Sequence, residues 1–162
     1  MLLLRSIFFT LLLPGMVTVL IPALLIISGR LMPFPQYGVS RLLGLPLMMV
    51  GGGSLLWCIW EFYTTGKGTL AALDPPKKLV VSGLYQYVRN PMYVAVITTL
   101  LGETIYFGSA AILLEAGLFA IIVNVYIACY EEPTLRKQFG EEYEKYTQKV
   151  RRWMPCFRSP DP

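Results

Sequence analysis

The chain has 162 residues and a formal net charge of +4, and 55% of its residues are hydrophobic. Charged residues make up 15% of the chain, against about 25% in a typical soluble domain. The mean hydropathy is +0.55. This composition excludes an ordinary water-soluble domain and predicts a membrane protein. Membrane lipids with anionic headgroups account for the positive charge, so no nucleic-acid partner is expected.

Four apolar stretches are predicted to span the membrane, because a bilayer core about 30 Å thick requires roughly 20 apolar residues in a helix. These stretches cover residues 2–28, 39–63, 91–107 and 110–130. We therefore predict an all-α, polytopic integral membrane protein with about four transmembrane helices and an amphipathic C-terminal helix. Residues 1–162 are expected to form a single membrane domain, and residues 1–63 its N-terminal helical hairpin.

The distribution of lysine and arginine predicts the orientation of these helices. Twelve of the 14 lysines and arginines lie on the side that carries both termini and the loop between the second and third helices. The opposite side has Arg30 and Arg41. Because positively charged residues favour the cytosolic side, we predict a multi-pass protein with a cytosolic active face. The membrane is expected to be a cell inner membrane or the endoplasmic reticulum.

The usual metal ligands are scarce in this sequence. There is no histidine, and Cys58, Cys129 and Cys156 lack the spacing of metal ligands. We therefore predict no metal site. The three glycines at 51–53 lie inside the second helix, where small residues allow close helix approach. A nucleotide-binding loop is disfavoured because no strand precedes them and no phosphate-binding lysine follows.

Polar residues concentrate in two segments, the loop at 77–93 and the tail at 131–155. The hairpin of the third and fourth helices returns the chain to the same face, so the two segments are expected to meet at one membrane surface. Asparagine before proline favours extended backbone, and proline suits the first turn of a helix. Arg89-Asn90-Pro91 therefore predicts a defined helix start, where the positive end of the helix dipole favours an anionic group.

The tail has the pattern of one amphipathic helix beginning at Pro133 and lying in the membrane interface. Its apolar face is formed by Leu135, Phe139, Tyr143 and Tyr146. Three polar residues are also predicted within or near the last two membrane helices, where ionisable groups are costly. Glu103 and Glu115 are expected to reach the far interface, and Asn124 to hydrogen-bond between helices.

The two polar segments together resemble a known family. The run from Ser82-Gly83-Leu84-Tyr85 to Val88-Arg89-Asn90-Pro91-Met92-Tyr93 resembles the Gly-x-Tyr…Arg-His-Pro-x-Tyr pattern of isoprenylcysteine carboxyl methyltransferases. The run from Glu131-Glu132 through Phe139-Gly140-Glu141-Glu142-Tyr143 to Trp153-Met154-Pro155 resembles the second block of that pattern. Phospholipid N-methyltransferases are similar in the same region. The resemblance covers residues 77–157, and it rests on two blocks in this order separated by a helical hairpin.

The resemblance implies a membrane methyltransferase that uses S-adenosyl-L-methionine and acts on the carboxylate of a lipid or prenylated acceptor. It implies a catalytic group of Arg89, Tyr93 and Glu132. It also implies that the cofactor contacts are Lys77, Lys78, Leu79, Val80, Tyr85, Asn90, Pro91, Met92, Tyr93 and Glu131. The chain departs from the family pattern with Asn90 in place of a histidine and Ala95 in place of a frequent glycine. It also has Ile127 and Ala128 where the eukaryotic enzymes carry an arginine.

The residue types suit this chemistry. Tyrosine rings can pack against adenine and against a cationic sulfonium, and a carboxylate can pair with an α-amino group. Other functions remain open: a phospholipid N-methyltransferase, an NADPH-dependent sterol-type reductase, or a non-catalytic membrane scaffold. A reductase would need more phosphate-binding arginines in the middle loop. A scaffold would not need both the acidic pair and the proline-tyrosine motif.

Overall fold

The computed structural model describes residues 14–33, 38–61, 64 and 79–156. Lys77 and Lys78, which were predicted to contact the cofactor, lie outside these residues. The described residues are helical and contain no strand, apart from one isolated bridge between Pro33 and Ser109. The predicted all-α class is therefore confirmed for this part of the chain.

The described residues form four apolar helices followed by two short polar ones. The apolar helices are α1 (Ile21–Ile27), α2 (Gly44–Glu61), α3 (Pro91–Phe107) and α4 (Ala110–Tyr126). The polar helices are α5 (Glu132–Phe139) and α6 (Glu141–Lys149). A π-helical turn, Met16–Leu20, leads into α1, and a second, Ile127–Glu131, joins α4 to α5. Short 3-10 turns, Gly38–Leu43 and Gly83–Gln86, precede α2 and α3.

Two uninterrupted helices are long and apolar enough to cross a bilayer by length and composition. They are Arg41–Glu61, with 21 residues, and Ala110–Phe139, with 30 residues. Met16–Ile27 and Pro91–Phe107 are apolar but shorter. One face of α4 leaves large apolar side chains exposed, including Leu118 and Ile121. Such a surface suits contact with lipid, whereas the count of four membrane spans stays a prediction.

Helices α2 and α3 are antiparallel and pack closely along one small-residue face. A Cβ atom added to Gly51 would lie 2.6 Å from the Thr99 main-chain nitrogen, and one added to Gly44 would lie 2.7 Å from that of Tyr106. The predicted role of the glycines in close helix approach is confirmed for Gly51. Gly52 and Gly53 face open space. The resulting contact fixes α3, which carries the start of the candidate site, against α2.

The turn between α3 and α4 is capped on both sides. Gly108 ends α3 with a positive φ of 62°, a conformation that glycine adopts without steric cost. The Ser109 hydroxyl accepts a hydrogen bond from the Ile112 nitrogen at 3.2 Å and donates one to the Leu31 carbonyl at 2.6 Å. This tight hairpin brings the end of α4 back beside the beginning of α3.

The tail differs from the single amphipathic helix that the sequence predicted. The chain passes from α4 into α5 without leaving helical conformation, and the helix then breaks at Gly140, where φ is +50°. The break lets α6 fold back, so that Tyr143 is buried instead of lying on one continuous face with Phe139. The apolar periodicity predicted that one helix continues through Gly140. In the structure this glycine instead separates two helices.

Two of the three polar residues predicted within or near the last two membrane helices also lie differently from the prediction. Glu103 is only 6% exposed, so it is buried between helices and does not reach the far interface. Among the described residues, Glu103 Oε2 and both carboxylate oxygens of Glu115 are buried without a hydrogen-bond partner. Asn124 does form a hydrogen bond, but its partner is the Trp153 indole of the tail, at 3.2 Å, not a neighbouring apolar helix.

Candidate active site

The start of α3 positions two of the predicted site residues. Helix α3 begins at Pro91, as predicted, and Asn90 precedes it with a φ of −122° and a ψ of 57°. Asn90 is buried, and its Nδ2 donates a hydrogen bond to the Arg152 carbonyl at 3.3 Å. Tyr93 follows within the first helical turn. The helix start is therefore held by the tail, and it directs Tyr93 towards the end of α4.

Glu132 accepts from two arginines at the same oxygen. Arg89 Nη1 lies 3.0 Å from Glu132 Oε1, and Arg152 Nε lies 2.9 Å from it. The Tyr143 hydroxyl lies near the Arg89 guanidinium. The Glu132 side chain is 8% exposed, so its charge is compensated inside the protein and not by water. This ion-pair cluster joins the loop before α3, helix α5, helix α6 and the segment after α6.

Glu131 has a different environment from its neighbour. The Tyr93 hydroxyl donates to Glu131 Oε2 at 3.1 Å. No other hydrogen bond or ion pair to Glu131 is formed by the described residues. Tyr85 and Tyr126 lie near the Glu131 carboxylate. Glu131 is thus a half-buried carboxylate, and one of its oxygens has no hydrogen-bond partner among the described residues.

The π-helical turn Ile127–Glu131 sets the direction of this acidic pair. A π turn holds more residues than an α turn, so the side chains after it are rotated relative to a regular helix. The pair leaves the apolar helix at that turn, with Glu131 directed to Tyr93 and Glu132 to Arg89. Such turns occur frequently at functional sites, and nothing in the apolar sequence before Glu131 signals one.

Tyrosines form the inner wall beneath the loop. The Tyr146 hydroxyl donates to the Tyr85 carbonyl at 2.6 Å, and the Tyr85 side chain packs against Cys58. Burial raises the pKa of Tyr85 well above its usual value, with a smaller effect from the nearby Cys58 and Glu131. Burial also raises the pKa of Tyr146. Both hydroxyls are therefore neutral donors throughout the physiological pH range.

Glu61, at the end of α2, was not singled out from the sequence. The Ser82 hydroxyl donates a hydrogen bond to Glu61 Oε1. Gly83 has a φ of +58°, and a Cβ atom there would lie 3.0 Å from Glu61 Oε2. The glycine of the Gly-x-Tyr pattern thus allows the loop to turn tightly over the carboxylate. A carboxylate at the end of an apolar helix, just before a polar loop, is the signal that could have identified it.

The segment 150–156 after α6, here called the tail strap, crosses the loop before α3. The Arg89 nitrogen donates to the Arg151 carbonyl at 2.9 Å, and the Cys156 nitrogen donates to the Tyr87 carbonyl at 2.8 Å. Arg152 of the strap reaches Glu132, as described above. Arg152 was missed in the sequence analysis because pairing between segments so distant in the chain leaves no local pattern.

The predicted site residues fall into two groups. Five of them meet between the start of α3 and the end of α4, namely Arg89, Asn90, Tyr93, Glu131 and Glu132. Three others, Val80, Tyr85 and Met92, pack into a hydrophobic cluster with Cys58. Leu79 is half-buried and Pro91 is buried beside them. The catalytic and cofactor-binding roles given to these residues stay predictions.

Metal ligation receives no support in the part of the chain that the structure describes. Within 14–33, 38–61, 64 and 79–156, no three histidine, cysteine, aspartate or glutamate side chains are grouped so that they could hold an ion. The acidic residues at the site are instead compensated by arginine and by a tyrosine hydroxyl. The chemistry available to the described side chains is the binding of opposite charges and of aromatic or cationic groups.

Comparison with known proteins identifies the family. The sequence model of the phospholipid methyltransferase family matches residues 39–142, which is more than half of the chain. Methanethiol S-methyltransferase 1 of Bradyrhizobium diazoefficiens is 35% identical over 89 residues, covering 52% of this chain and 28% of that protein. An uncharacterised Haemophilus influenzae protein is 36% identical over 63 residues, covering 39% of this chain and 100% of that protein. The relationship predicted from the two motif blocks is confirmed, and the chain belongs to the phospholipid methyltransferase family.

Proposed function

We propose that this protein is an S-adenosyl-L-methionine-dependent methyltransferase that acts in the membrane on a lipid-linked acceptor, such as the carboxylate of an isoprenylcysteine-like lipid. Its family and its methanethiol-methylating relative support methyl transfer. The observation that carries the proposal is a pair of oppositely charged side chains, each with one atom that lacks a hydrogen-bond partner in the described part of the chain. Glu131 keeps one oxygen without a partner among the described residues, and Arg89 has a buried Nε without one.

These two groups fit the amino acid end of the cofactor, which carries both signs of charge. Glu131 would pair with the α-amino group, and Arg89 together with the start of α3 would hold the carboxylate. Tyr85 and Tyr93 offer ring faces that suit a sulfonium and an adenine. NADPH carries several negatively charged phosphate groups, so a site for it would need several arginines free to bind them. Among the described residues, both Arg89 and Arg152 are already bound to Glu132.

The bound cofactor would supply a methyl group on a cationic sulfur, which an acceptor lone pair takes as the carbon–sulfur bond breaks. The protein contributes positioning. Tyr93 fixes the Glu131 carboxylate through its hydroxyl, and Glu132 holds Arg89 in place. The tail strap covers the loop and limits access of water. A carboxylate acceptor needs no general base, which agrees with a chain that has no histidine.

The acceptor and the cofactor are expected to arrive from different phases. A lipid is too apolar to approach through water, and the cofactor is too polar to approach through the bilayer. We infer that the acceptor enters sideways between helices, with its polar end near Arg89 and Tyr93. The cofactor would approach from the cytosolic face, where most of the lysines and arginines are predicted to lie.

A second acceptor class, the amine of a phospholipid headgroup, is favoured by one specific observation. Arg89 and Arg152 both donate to Glu132 Oε1, so their charge is already compensated before an acceptor carboxylate arrives. In this alternative the open oxygen of Glu131 would bind the headgroup ammonium and take the proton that the amine must lose before it accepts a methyl group. Methyl transfer assays with purified protein, comparing a prenylcysteine analogue with phosphatidylethanolamine, would decide between the two acceptors.

Calorimetric titration of the purified protein with S-adenosyl-L-methionine and with NADPH tests the cofactor. We expect binding of the first and none of the second. Glu131→Gln should weaken binding by about 10- to 150-fold, because a charge-assisted hydrogen bond contributes about 1.5–3 kcal/mol. Glu142→Gln is the matched control, since Glu142 is exposed on α6. Equal affinities of the two variants would remove Glu131 from the site, and binding of NADPH alone would overturn the proposal.

A further inference from the structure

A groove of about 370 Å³ runs between α3 and α4 on the outer surface of the helices. Its volume lies within the range of about 300–1,000 Å³ that small ligands occupy. Its walls are apolar and consist of Ile97, Ala120, Ile121 and Val125. Asn124 and Trp153 supply its polar lining, and they are hydrogen-bonded to each other. A surface of this kind suits a hydrocarbon chain.

The groove lies about one helical turn from the candidate active site. Ile97 lies four residues after Tyr93 on the same helix, so the two side chains share one face and are separated by roughly 6 Å along the axis. Phe119, next to Ala120, has its ring centre 6.4 Å from that of Tyr93. Ile97 in the groove wall is therefore close to Tyr93, whose hydroxyl is bonded to Glu131.

The tail strap supplies the residue that closes the groove. Trp153 lies against the apolar walls, and its indole Nε1 donates to Asn124 Oδ1 at 3.2 Å. Arg152, the preceding residue, donates to Glu132 in the site at 2.9 Å. Contacts to the groove and to the acidic pair are therefore made by consecutive residues of one short segment. A bound hydrocarbon chain that displaces Trp153 must therefore also shift the backbone of the adjacent Arg152.

We propose that this groove binds the hydrocarbon chain of the lipid acceptor and that Trp153 is the residue that determines which chains fit. This inference rests on the proposed function, whose reacting groups lie near Tyr93, about one helical turn from the groove. The occupant is a lipid chain and not a peptide, because the groove lies on helices with a lipid-exposed face and has a single pair of polar groups. Tryptophan is suited to this place, since its ring is apolar and its N–H finds a polar partner.

Fluorescence of Trp153 gives a direct test that does not depend on methyl transfer. The chain has three tryptophans, so a Trp57→Phe, Trp60→Phe protein leaves Trp153 as the reporter. We would titrate this protein, in detergent, with a lysophosphatidylethanolamine that carries a dibromostearoyl chain, because bromine quenches tryptophan on contact. The expected result is saturable quenching. Quenching that only rises in proportion to the probe would show ordinary partitioning and would overturn the proposal.

A pair of substitutions on α4 separates the groove from the general lipid surface. Ala120→Phe fills the groove, whereas Leu118→Phe places the same ring at a position that is 60% exposed and does not line it. We expect Ala120→Phe to abolish saturable quenching and to lower kcat/KM for long-chain acceptors by about tenfold or more, because burial of each methylene contributes about 0.8 kcal/mol. Short-chain acceptors should be affected little. Equal behaviour of the two variants would overturn the proposal.

The two readouts distinguish failure of the groove from failure of the proposed function. Saturable quenching in a protein that transfers no methyl group would support a lipid-chain site while refuting the methyltransferase. Methyl transfer without saturable quenching would overturn the groove and leave the enzyme. Replacement of Trp153 by Phe, compared with Ala, adds a third check. Phe should retain a preference for long chains, and Ala should broaden it.

Discussion

The main-chain nitrogen of Arg89 donates to the main-chain oxygen of Arg151 at 2.9 Å. The loop before α3 and the tail strap are thus joined through their backbones, which leaves side chains free for other contacts. The Arg89 guanidinium binds Glu132, and Arg152 of the tail strap binds the same carboxylate oxygen. The strap is therefore a structural component of the site and not an appendage of the last helix.

Removal of the Arg152 side chain should lower the free energy of unfolding, whereas removal of the Arg151 side chain should not. Arg152→Ala leaves Glu132 with one partner fewer, and we expect a loss of about 1.5–3 kcal/mol in the free energy of unfolding, because a buried charge loses a charge-assisted hydrogen bond. Arg151→Ala is the control, since that side chain is exposed and its carbonyl contact is kept. Thermal unfolding in detergent measures both. Equal melting temperatures would contradict the structural role of Arg152.

The close contact of α2 with α3 predicts a sharp difference between two glycines of one helix. Gly51→Ala places a methyl group 2.6 Å from the Thr99 nitrogen, which is main chain and cannot rotate away. Overpacking of this kind costs about 1–3 kcal/mol. Gly53→Ala meets nothing within 4 Å and should be neutral or stabilising, because alanine favours helix. Melting temperatures in the same detergent provide the comparison, and equal destabilisation would rule out the close contact.

The tyrosine wall predicts how stability changes at alkaline pH. Because burial raises the pKa of Tyr146, the folded state favours the neutral hydroxyl. Its contribution is therefore complete below the ordinary tyrosine pKa of about 10 and is lost as the pH rises further. Tyr146→Phe should reduce the alkaline decline in the free energy of unfolding. It should also cost about 0.5–1.5 kcal/mol at neutral pH through the lost hydrogen bond to Tyr85.

Denaturant unfolding from neutral to alkaline pH measures this effect. Tyr130→Phe serves as the control at neutral pH, since Tyr130 is 48% exposed and its ring, which stacks on Tyr126, is retained. An alkaline decline in the Tyr146→Phe protein as steep as that of the parent would show that this hydroxyl does not contribute.

The predicted orientation can be read from two exposed positions at opposite ends of the helices. In a protein with Cys129→Ser and Cys156→Ser, Arg30→Cys should react with a membrane-impermeant maleimide in intact cells. Lys149→Cys should react only after the membrane is opened, because α6 is expected on the cytosolic side. The buried Cys58 can stay. Labelling of Lys149→Cys from outside would reverse the predicted topology.

Features encoded by short-range patterns were predictable from the sequence. The bounds of α3, Pro91–Phe107, coincide with the apolar stretch at 91–107, because proline begins that helix and Gly108 ends it. The second stretch is likewise helical over Arg41–Glu61. The motif residues around Asn90 and Glu131 were located through the family resemblance, whose two blocks the structure brings into hydrogen-bonding contact.

Features that depend on distant contacts or on helix geometry were not predictable. Arg152 reaches Glu132 only because the tail folds back across the loop, and no local pattern marks such a return. The burial of Glu103 depends on which face of α3 its neighbours cover, whereas distance from the helix end suggested an interface position. Gly140 could have been taken as a helix end, since glycine is common there, but the apolar periodicity on both sides favoured continuation.

The π-helical turn Ile127–Glu131 makes the site sensitive to residue number as well as residue type. Because the wide turn already accommodates one extra residue, inserting a further residue between Ile127 and Tyr130 would rotate every side chain beyond it by about 100° around the axis. Glu131 and Glu132 would then point away from Tyr93 and Arg89 although both were still present. An insertion there should abolish the site while sparing hydrophobicity and helix content, so in this chain the spacing of the acidic pair matters as much as its chemistry.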